Sequence, residues 1–157
     1  MKPLSAIPGI KVRDLSLQFG EQIIFDRLNM DITGGEFVAL LGASGAGKSS
    51  LLRIIAGLAP PTSGSVTGSD NQPLAGRIAW MGQKDLLYPW LSVIDNVALG
   101  ARLRGEKVDR DWARHLLARV GLSREEKSLP ATLSGGMRQR AALARTLYER
   151  QPIVLMD

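Results

Sequence analysis

The stretch GASGAGKS, residues 42–49, limits the possible folds of this chain more than any other part of its sequence. It fits the pattern G-x-x-x-x-G-K-[ST], in which glycines let the backbone wrap an anion while N–H groups and a helix N-terminus point at phosphate oxygens. Lys48 would then reach the β- and γ-phosphates of a nucleoside triphosphate, and the Ser49 hydroxyl would ligate Mg²⁺. A glycine-rich turn with a solvent-facing lysine is the weaker interpretation, because strand and helix patterns flank the loop.

The segments beside this loop predict an α/β fold. EFVALLG, residues 36–42, is an unbroken apolar run bounded by Gly, which predicts a strand covered on both faces as in a parallel sheet. The pattern after the loop predicts a helix over 48–58, ended by the two prolines that follow. Its apolar stripe consists of Leu51, Ile55 and Leu58. IVLMD, residues 153–157, predicts a further buried strand that ends on a carboxylate.

The remaining patterns predict antiparallel strands early in the chain and a helical block late. Alternating apolar and polar residues predict a strand over 10–19 and a second apolar strand over 23–32. Turn-rich residues 62–76 predict short antiparallel strands, and RIAWMGQ predicts a strand that ends near Gln83. Residues 92–150 follow with helical periodicity, so the order of elements predicts an α/β fold with an inserted helical lobe.

The helical block carries local signals of its own. Ser92 and Asp95 have the spacing of a capping box at a helix start. A later helix has a predicted apolar stripe of Trp112, Leu116 and Val120. The last helix begins near Gly136, and its apolar residues are Ala141, Leu143, Ala144 and Leu147.

Composition excludes several classes of protein. The 157 residues, 45% hydrophobic and 22% charged, suit one soluble domain or part of a larger one, without the apolar run of about 20 residues that a membrane span needs. Without cysteine there is neither a disulfide framework nor a thiolate metal site, which fits a reducing cytosol. The net charge of +5 could suggest nucleic acid, but the arginines are spread among acidic residues on predicted helices, as on a solvated surface.

A second motif, LSGGMRQR, occupies residues 133–140. Ser134 and two glycines open a helix there, so exposed N–H donors, a hydroxyl and the positive end of the helix dipole form a second anion site. An ordinary helix N-cap would explain Ser134 but not the adjacent Gly135 and Gly136.

With these two motifs in this order, the sequence resembles the nucleotide-binding subunits of ABC transporters over its whole length. The resemblance implies a P-loop NTPase, ABC-type ATPase core with an antiparallel β subdomain and an inserted α-helical subdomain. Residues 1–83 and 151–157 would form the core and the β subdomain, and residues 84–150 the helical subdomain with the signature helix. ATP and Mg²⁺ are the implied cofactors.

The resemblance also implies roles for single residues. Lys48, Gln83 and Asp157 would be catalytic, and Gln83 and Asp157 would hold Mg²⁺ together with Ser49. Phe19 would stack on adenine, although from spacing alone a core position is as good, just as Gln83 could be a polar cap on a strand end. The implied nucleotide-binding residues are Phe19, Gly42, Ala43, Ser44, Gly45, Ala46, Gly47, Lys48, Ser49, Ser50, Ser134, Gly135 and Gly136.

Two further positions are interpreted through the resemblance. Met137 stands where many members have Gln, with little expected loss of phosphate binding. His115 lies upstream of Asp157, whereas the switch histidine of the family lies downstream of it, so His115 is interpreted as a surface or boundary residue.

The implied partners are a second ATP-binding subunit, packed head to tail so that Ser134, Gly135 and Gly136 act in trans, and membrane-embedded permease subunits. The apolar segment after Gln83 is the hypothesised permease contact, through Leu87, Tyr88, Trp90 and Leu91. Packing of these side chains inside the helical lobe is an almost equally good alternative. A solute-binding protein is an indirect partner, and no nucleic acid is expected.

The implied function is solute import, driven by ATP from the cytoplasmic face of the inner membrane. The phrases PWLSVIDNVALG and LSGGMRQR are similar to importers of nitrate, sulfonate, taurine or thiamine precursors, while the solute itself is recognised by other subunits. The family's catalytic Glu and switch His would follow Asp157, so we expect residues 1–157 alone to bind ATP weakly and hardly hydrolyse it. The alternatives are a non-hydrolysing ATP-binding fragment and an ABC-type ATPase that acts on nucleic acid.

Overall fold

An antiparallel sheet dominates the first of two units in the computed structural model, which describes residues 7–157. Strand β1 (Ile10–Phe19) pairs with β2 (Gln22–Ile32) on one side and with β3 (Ser63–Gly68) on the other. The buried side chains of β1 are Ile10, Val12, Leu15 and Leu17, so period 2 holds on each side of a register shift between Val12 and Leu15, and the patterning predicted this strand correctly. The second strand and a short strand within 62–76 are confirmed as well.

The predicted strand over residues 36–42 is wrong. This segment belongs to no sheet, and the side chains of Phe37 and Leu41 are 96% and 92% exposed. A strand covered on both faces needs a neighbour whose N–H and C=O groups complete its ladder, and no described strand pairs with this one. The apolar run therefore indicated hydrophobicity alone, from which neither burial nor a pairing partner follows.

Helix α1 (Lys48–Ile55) is shorter than the sequence pattern predicted. Leu51 and Ile55 are buried as expected, but Leu58 is 60% exposed and lies beyond the helix. The helix stops because Gly57, at φ +71°, donates its N–H to the Ile54 carbonyl while the Leu58 N–H reaches Arg53. This Schellman arrangement, rather than the prolines farther on, ends the helix.

The second unit, Ala79–Met156, is mainly helical. Its helices are α2 (Val93–Val97), α3 (Leu99–Leu103), α4 (Arg110–Arg119) and α5 (Gly135–Tyr148). Their apolar faces form one core, whose fully buried members include Val93, Val97, Ala113, Leu117, Leu122, Ala141 and Ala144. None of the helices within residues 7–157 is long and apolar enough to cross a membrane.

Several local predictions for the helical block are confirmed. The Ser92 hydroxyl accepts the Asp95 N–H at 3.2 Å, as the capping-box spacing predicted. His115 is exposed and stacks on Trp112 with ring centroids 5.3 Å apart, so it is a surface residue.

Two short strands, β4 (Ile78–Met81) and β5 (Ile153–Met156), lie side by side in a second sheet. Strand β4 ends two residues before Gln83. Strand β5 exists as predicted, but it is not covered on both faces, because Ile153 and Leu155 are buried while Met156 is 51% exposed. Its side chains alternate as they do on a strand with one covered face.

Candidate functional site

The glycine-rich loop before α1 adopts a backbone that its sequence requires. Gly45 and Gly47 both have φ +83°, a left-handed conformation that side-chain-bearing residues disfavour. Gly47 is the N-cap of α1, and a Cβ atom built on it would lie 2.4 Å from Cγ2 of Ile24 on β2. Only glycine fits at Gly47, because β2 packs directly against the loop at the point where the helix starts.

Lys48 bends back over this loop. Its ammonium donates to the Gly42 and Ala43 carbonyls, at Nζ to O distances of 2.8 and 2.7 Å. A fixed positive charge thus stands beside the glycine-rich turn and the N-terminus of α1, which has no acidic residue in its first turn. The combination suits a polyanion, because a positive charge, backbone N–H donors and the positive end of a helix meet here.

Ser49 and Asp157, 108 residues apart in sequence, meet in the first unit. The Ser49 hydroxyl donates to Oδ1 of Asp157 at an oxygen to oxygen distance of 2.6 Å. Hydroxyl and carboxylate oxygens are the hard ligands that Mg²⁺ prefers, and Mg²⁺ is often held by one or two such protein groups plus substrate phosphates. The described residues offer no cluster of three or more His, Asp or Glu side chains, so phosphate oxygens would have to complete the coordination.

Phe19 is the last residue of β1, opposite Gln22 in the hairpin, and its side chain is 62% exposed. A core position, the alternative that spacing allowed, is therefore excluded. Ile24 and Phe25, a few residues farther along the same hairpin, are the side chains nearest to Gly47. Phe19 is thus an accessible aromatic ring on the sheet that packs against the loop.

The second glycine motif lies at the start of α5. The Ser134 hydroxyl is the N-cap and accepts the Met137 N–H at 3.3 Å, while Gly135 and Gly136 are exposed. Neither glycine has a positive φ, and a Cβ built on Gly136 would meet no atom within 4 Å in the part of the chain that the structure describes. The backbone of the described chain does not require glycine at either position.

Gln83 is exposed and lies in the loop after β4, and helix α5 holds that loop. Gln139 donates from Nε2 to the Gln83 carbonyl at 2.8 Å, and Arg138 donates from Nε to Oδ2 of Asp85 at 3.1 Å. The sequence interpretation assigned roles to the start of the signature motif and missed these two residues. The available signal was that Arg138 and Gln139, at the end of the motif, lie on a predicted helix with an apolar face, so they could reach a neighbouring loop.

The segment after Gln83 divides into buried and exposed side chains. Leu87 belongs to the helical core and Leu91 is half-buried, whereas Tyr88 and Trp90 are 41% and 71% exposed and meet edge to face at 5.3 Å. They border a largely apolar cavity of about 680 Å³ in the second unit. Its other lining side chains include Trp80, Leu86, Leu99, Leu103 and Glu149.

Asn96, fully buried in α2, fixes this segment and was not predicted. Its Oδ1 accepts the Tyr88 N–H at 2.7 Å, and its Nδ2 donates to the carbonyls of Tyr88, Leu91 and Ser92 at 3.0 to 3.1 Å. A buried polar group is tolerated because all these bonds are made. The sequence signal was an asparagine on the apolar side of a short helix.

Residues 25–157 match the ABC transporter family, and the chain belongs to it. Among solved structures, the ATP-binding subunit of an ABC transporter aligns with a TM-score of 0.79 at 28% identity, over 94% of this chain and 65% of that one. A dimeric ATP-binding cassette in a post-hydrolysis state with ADP and Pi aligns with the same TM-score at 31% identity, over 94% and 73%.

Curated relatives give finer likenesses. An uncharacterized ABC transporter ATP-binding protein of Haemophilus influenzae is 45% identical, over 94% of this chain and 62% of its own length. The aliphatic sulfonates import ATP-binding protein SsuB of Escherichia coli K12 is 47% identical, over 91% of this chain and 55% of its own length. The chain thus spans little more than half the length of the curated relatives it matches.

The family and the fold class predicted from the sequence are confirmed by these matches. The division into a core with a β subdomain and a helical subdomain stays a prediction, as do the roles of single site residues.

Proposed function

We propose that this chain is the ATP-binding part of an ABC importer, in which binding and hydrolysis of ATP drive solute uptake across the cytoplasmic membrane. The observation that carries the proposal is the hydrogen bond between Ser49 and Asp157. Ser49 directly follows Lys48 at the end of the glycine-rich loop. These groups supply an ammonium, a hydroxyl and a carboxylate, which a Mg²⁺-bound triphosphate requires.

Each residue of the proposed nucleotide site would have one task. The loop N–H groups from Gly42 to Ser50 and the ammonium of Lys48 would bind phosphate oxygens, and Phe19 would stack on adenine. Ser49 and Asp157 would hold Mg²⁺, which neutralises phosphate charge when bound. Gln83 would orient the attacking water in phosphoryl transfer, where the protein contributes mainly position and charge.

The second glycine motif would act on a nucleotide bound by another subunit. Ser134, Gly135 and Gly136 are exposed, and the first turn of α5 has no acidic side chain to compete with a phosphate. A solved relative is described as a dimeric cassette bound to ADP and Pi, which supports a second ATP-binding subunit as a partner. ATP would close such a dimer and hydrolysis would reopen it.

The permease would dock at the apolar cavity of the second unit. Tyr88 and Trp90 expose aromatic surface at its edge, and aromatic side chains dominate the energy of many interfaces. Leu87 and Leu91 would contribute mainly by packing beneath them. An apolar or amphipathic helix of a membrane subunit fits this cavity, because most of its lining side chains are apolar and the lining residue Glu149 is already paired with Arg104 at 2.7 Å.

The proposed importer belongs with those for small oxyanions or related solutes. Support comes from the E. coli relative, whose name assigns it to import of aliphatic sulfonates. The chain would work at the cytoplasmic face of the inner membrane, with a solute-binding protein as an indirect partner. The solute is recognised by those other subunits.

Calorimetric titration with ATP and Mg²⁺ tests the proposed nucleotide site. Lys48→Ala is expected to weaken binding by about ten- to a hundredfold, because it removes a charge-assisted hydrogen-bond donor to phosphate. Lys127→Ala, which changes an exposed lysine of the second unit, is the matched control and should bind as the unmodified chain does. Equal affinity of Lys48→Ala and the control would refute the proposed site.

A further inference from the structure

The loop that begins at Gln83 contains a strained residue. Leu86 has φ +47°, in the left-handed region that a bulky side chain disfavours, and its side chain is 68% exposed. Burial of the Leu86 side chain therefore does not compensate the strain. Such a conformation persists only where surrounding groups over-determine it.

Arg145 of α5 supplies that constraint. Its Nη1 donates to the Leu86 carbonyl at 2.8 Å and its Nη2 donates to the Asp85 carbonyl at 2.6 Å. The planar guanidinium fork thus spans two successive carbonyls, an arrangement that a single ammonium does not reproduce. Burial lowers the pKa of Arg145 below its ordinary value, while Asp85 and Tyr88 oppose that shift. The residue remains charged, because arginine is not deprotonated in proteins.

Further bonds tie the same turn to α5 and to itself. Arg138, seven residues before Arg145 and so on the same face of the helix, pairs with Oδ2 of Asp85 at 3.1 Å. Oδ1 of Asp85 accepts the Leu87 N–H at 3.1 Å, and Gln139 donates to the Gln83 carbonyl. Arg145 differs from these neighbours because it binds the strained residue itself.

We propose that Arg145 is a positioning residue, whose guanidinium fork fixes the backbone of the Asp85–Leu86 turn. This turn connects Gln83 with the segment from Tyr88 to Trp90, so its conformation determines the positions of both. Its importance for the reaction rests on the proposed function, in which Gln83 orients water and Tyr88 and Trp90 contact the permease. Because the same turn positions Gln83 and the two aromatic residues, loss of the Arg145 hydrogen bonds would displace all of them together.

Hydrogen exchange of backbone amides in the 157-residue chain without nucleotide tests this proposal. The Leu87 and Tyr88 amides report on the turn, since they donate to Asp85 and Asn96. Arg145→Ala is expected to raise their exchange rates by about ten- to a hundredfold, while the amides of α4 keep theirs. Arg119→Ala, which changes an exposed arginine of α4, should leave the Leu87 and Tyr88 rates unchanged.

Arg145→Lys separates the fork from the charge. It is expected to stay closer to the alanine variant than to the unmodified chain. Unchanged exchange at Leu87 and Tyr88 in Arg145→Ala, an equal rise throughout α4, or full protection in Arg145→Lys would each overturn the proposal. Because no nucleotide is present, loss of the proposed ATP site would leave this measurement unaffected.

Discussion

Helices α1 and α5 both begin at glycine-rich turns, but their glycines are needed for different reasons. Gly47 has a left-handed backbone and packs against Ile24, so the fold of its own unit excludes any side chain there. Gly136 has an ordinary backbone and open space around its Cα, so the described chain would accept a side chain. Contacts within the chain therefore require the glycine before α1, while the space beside the glycine at the start of α5 can accommodate another molecule.

The two turns share with α3 an electrostatic property that the starts of α2 and α4 lack. Neither α1 nor α5 has an acidic residue in its first turn, whereas α2 has Asp95 and α4 has Asp111. A carboxylate in the first turn neutralises the positive end of a helix. Helices α2 and α4 thus carry a carboxylate at their N-termini, whereas the first turns of α1 and α5 contain none that would repel an external anion.

The largest expected effect is that of Gly47→Ala. The substitution should lower the free energy of unfolding by about 2 kcal/mol or more, because the left-handed backbone disfavours a Cβ and Ile24 occupies its space. Gly45→Ala is the matched control, since Gly45 has the same φ of +83° with nothing within 4 Å of the added atom. Urea denaturation measures both, and an equal loss in the two variants would show that packing against β2 is irrelevant.

Ser134→Ala should have a smaller effect, confined to the second unit. Loss of the N-cap hydrogen bond to Met137 is expected to cost about 1 kcal/mol of unfolding free energy. Ser134→Thr retains a hydroxyl and should recover most of it in the same denaturation assay. A Ser134→Ala chain as stable as the unmodified one would mean that the hydroxyl does not cap α5.

Asp95 tests a helix start that the chain caps for itself. The hydrogen bond from Ser92, with a further contribution from Arg110, holds the pKa of Asp95 below its ordinary value of 3.8. A carboxyl whose pKa is depressed by folding adds stability above its unfolded pKa and loses it as pH falls through the folded pKa. Asp95→Asn should therefore cost about 0.5 kcal/mol at neutral pH.

The pH dependence provides the check on this carboxyl. Between about pH 4 and pH 2 the stability of Asp95→Asn should fall less steeply than that of the unmodified chain. Urea midpoints across this range measure the difference. Parallel curves would contradict the assigned role of Asp95.

Gly136→Ala should have the smallest effect on stability. Alanine is the better helix former by up to about 1 kcal/mol, so the unfolding free energy should stay equal or rise slightly. Association of subunits in ATP and Mg²⁺, followed by sedimentation velocity, should nevertheless be reduced. A destabilised Gly136→Ala chain would reveal a packing contact and remove the contrast with Gly47.

Sequence patterns predicted the elements whose signal is local. The alternation of apolar and polar residues predicted where β1 begins and ends, and the spacing of Ser92 and Asp95 predicted the start of α2. The strand over 36–42 was wrong because an apolar run does not specify a partner, and the end of α1 was misplaced because Gly57 terminates a helix more directly than a distant proline.

The candidate site shows the same limit. The glycine loop was recognisable as a contiguous motif, but Ser49 and Asp157 meet across 108 residues, and only the family resemblance paired them beforehand. Arg145 and Asn96 were missed because both act through hydrogen bonds to backbone groups of the segment after Gln83, and such bonds leave no periodic trace in the sequence.

The dependence of ATP binding on Mg²⁺ tests the pairing of Ser49 and Asp157 most directly. ATP titrations with Mg²⁺ and with a chelator should differ by about tenfold or more in affinity for the unmodified chain. For Asp157→Asn, which keeps the size of the side chain but removes its charge, the two titrations should nearly coincide. A full Mg²⁺ dependence in Asp157→Asn would contradict the metal-binding role assigned to this carboxylate.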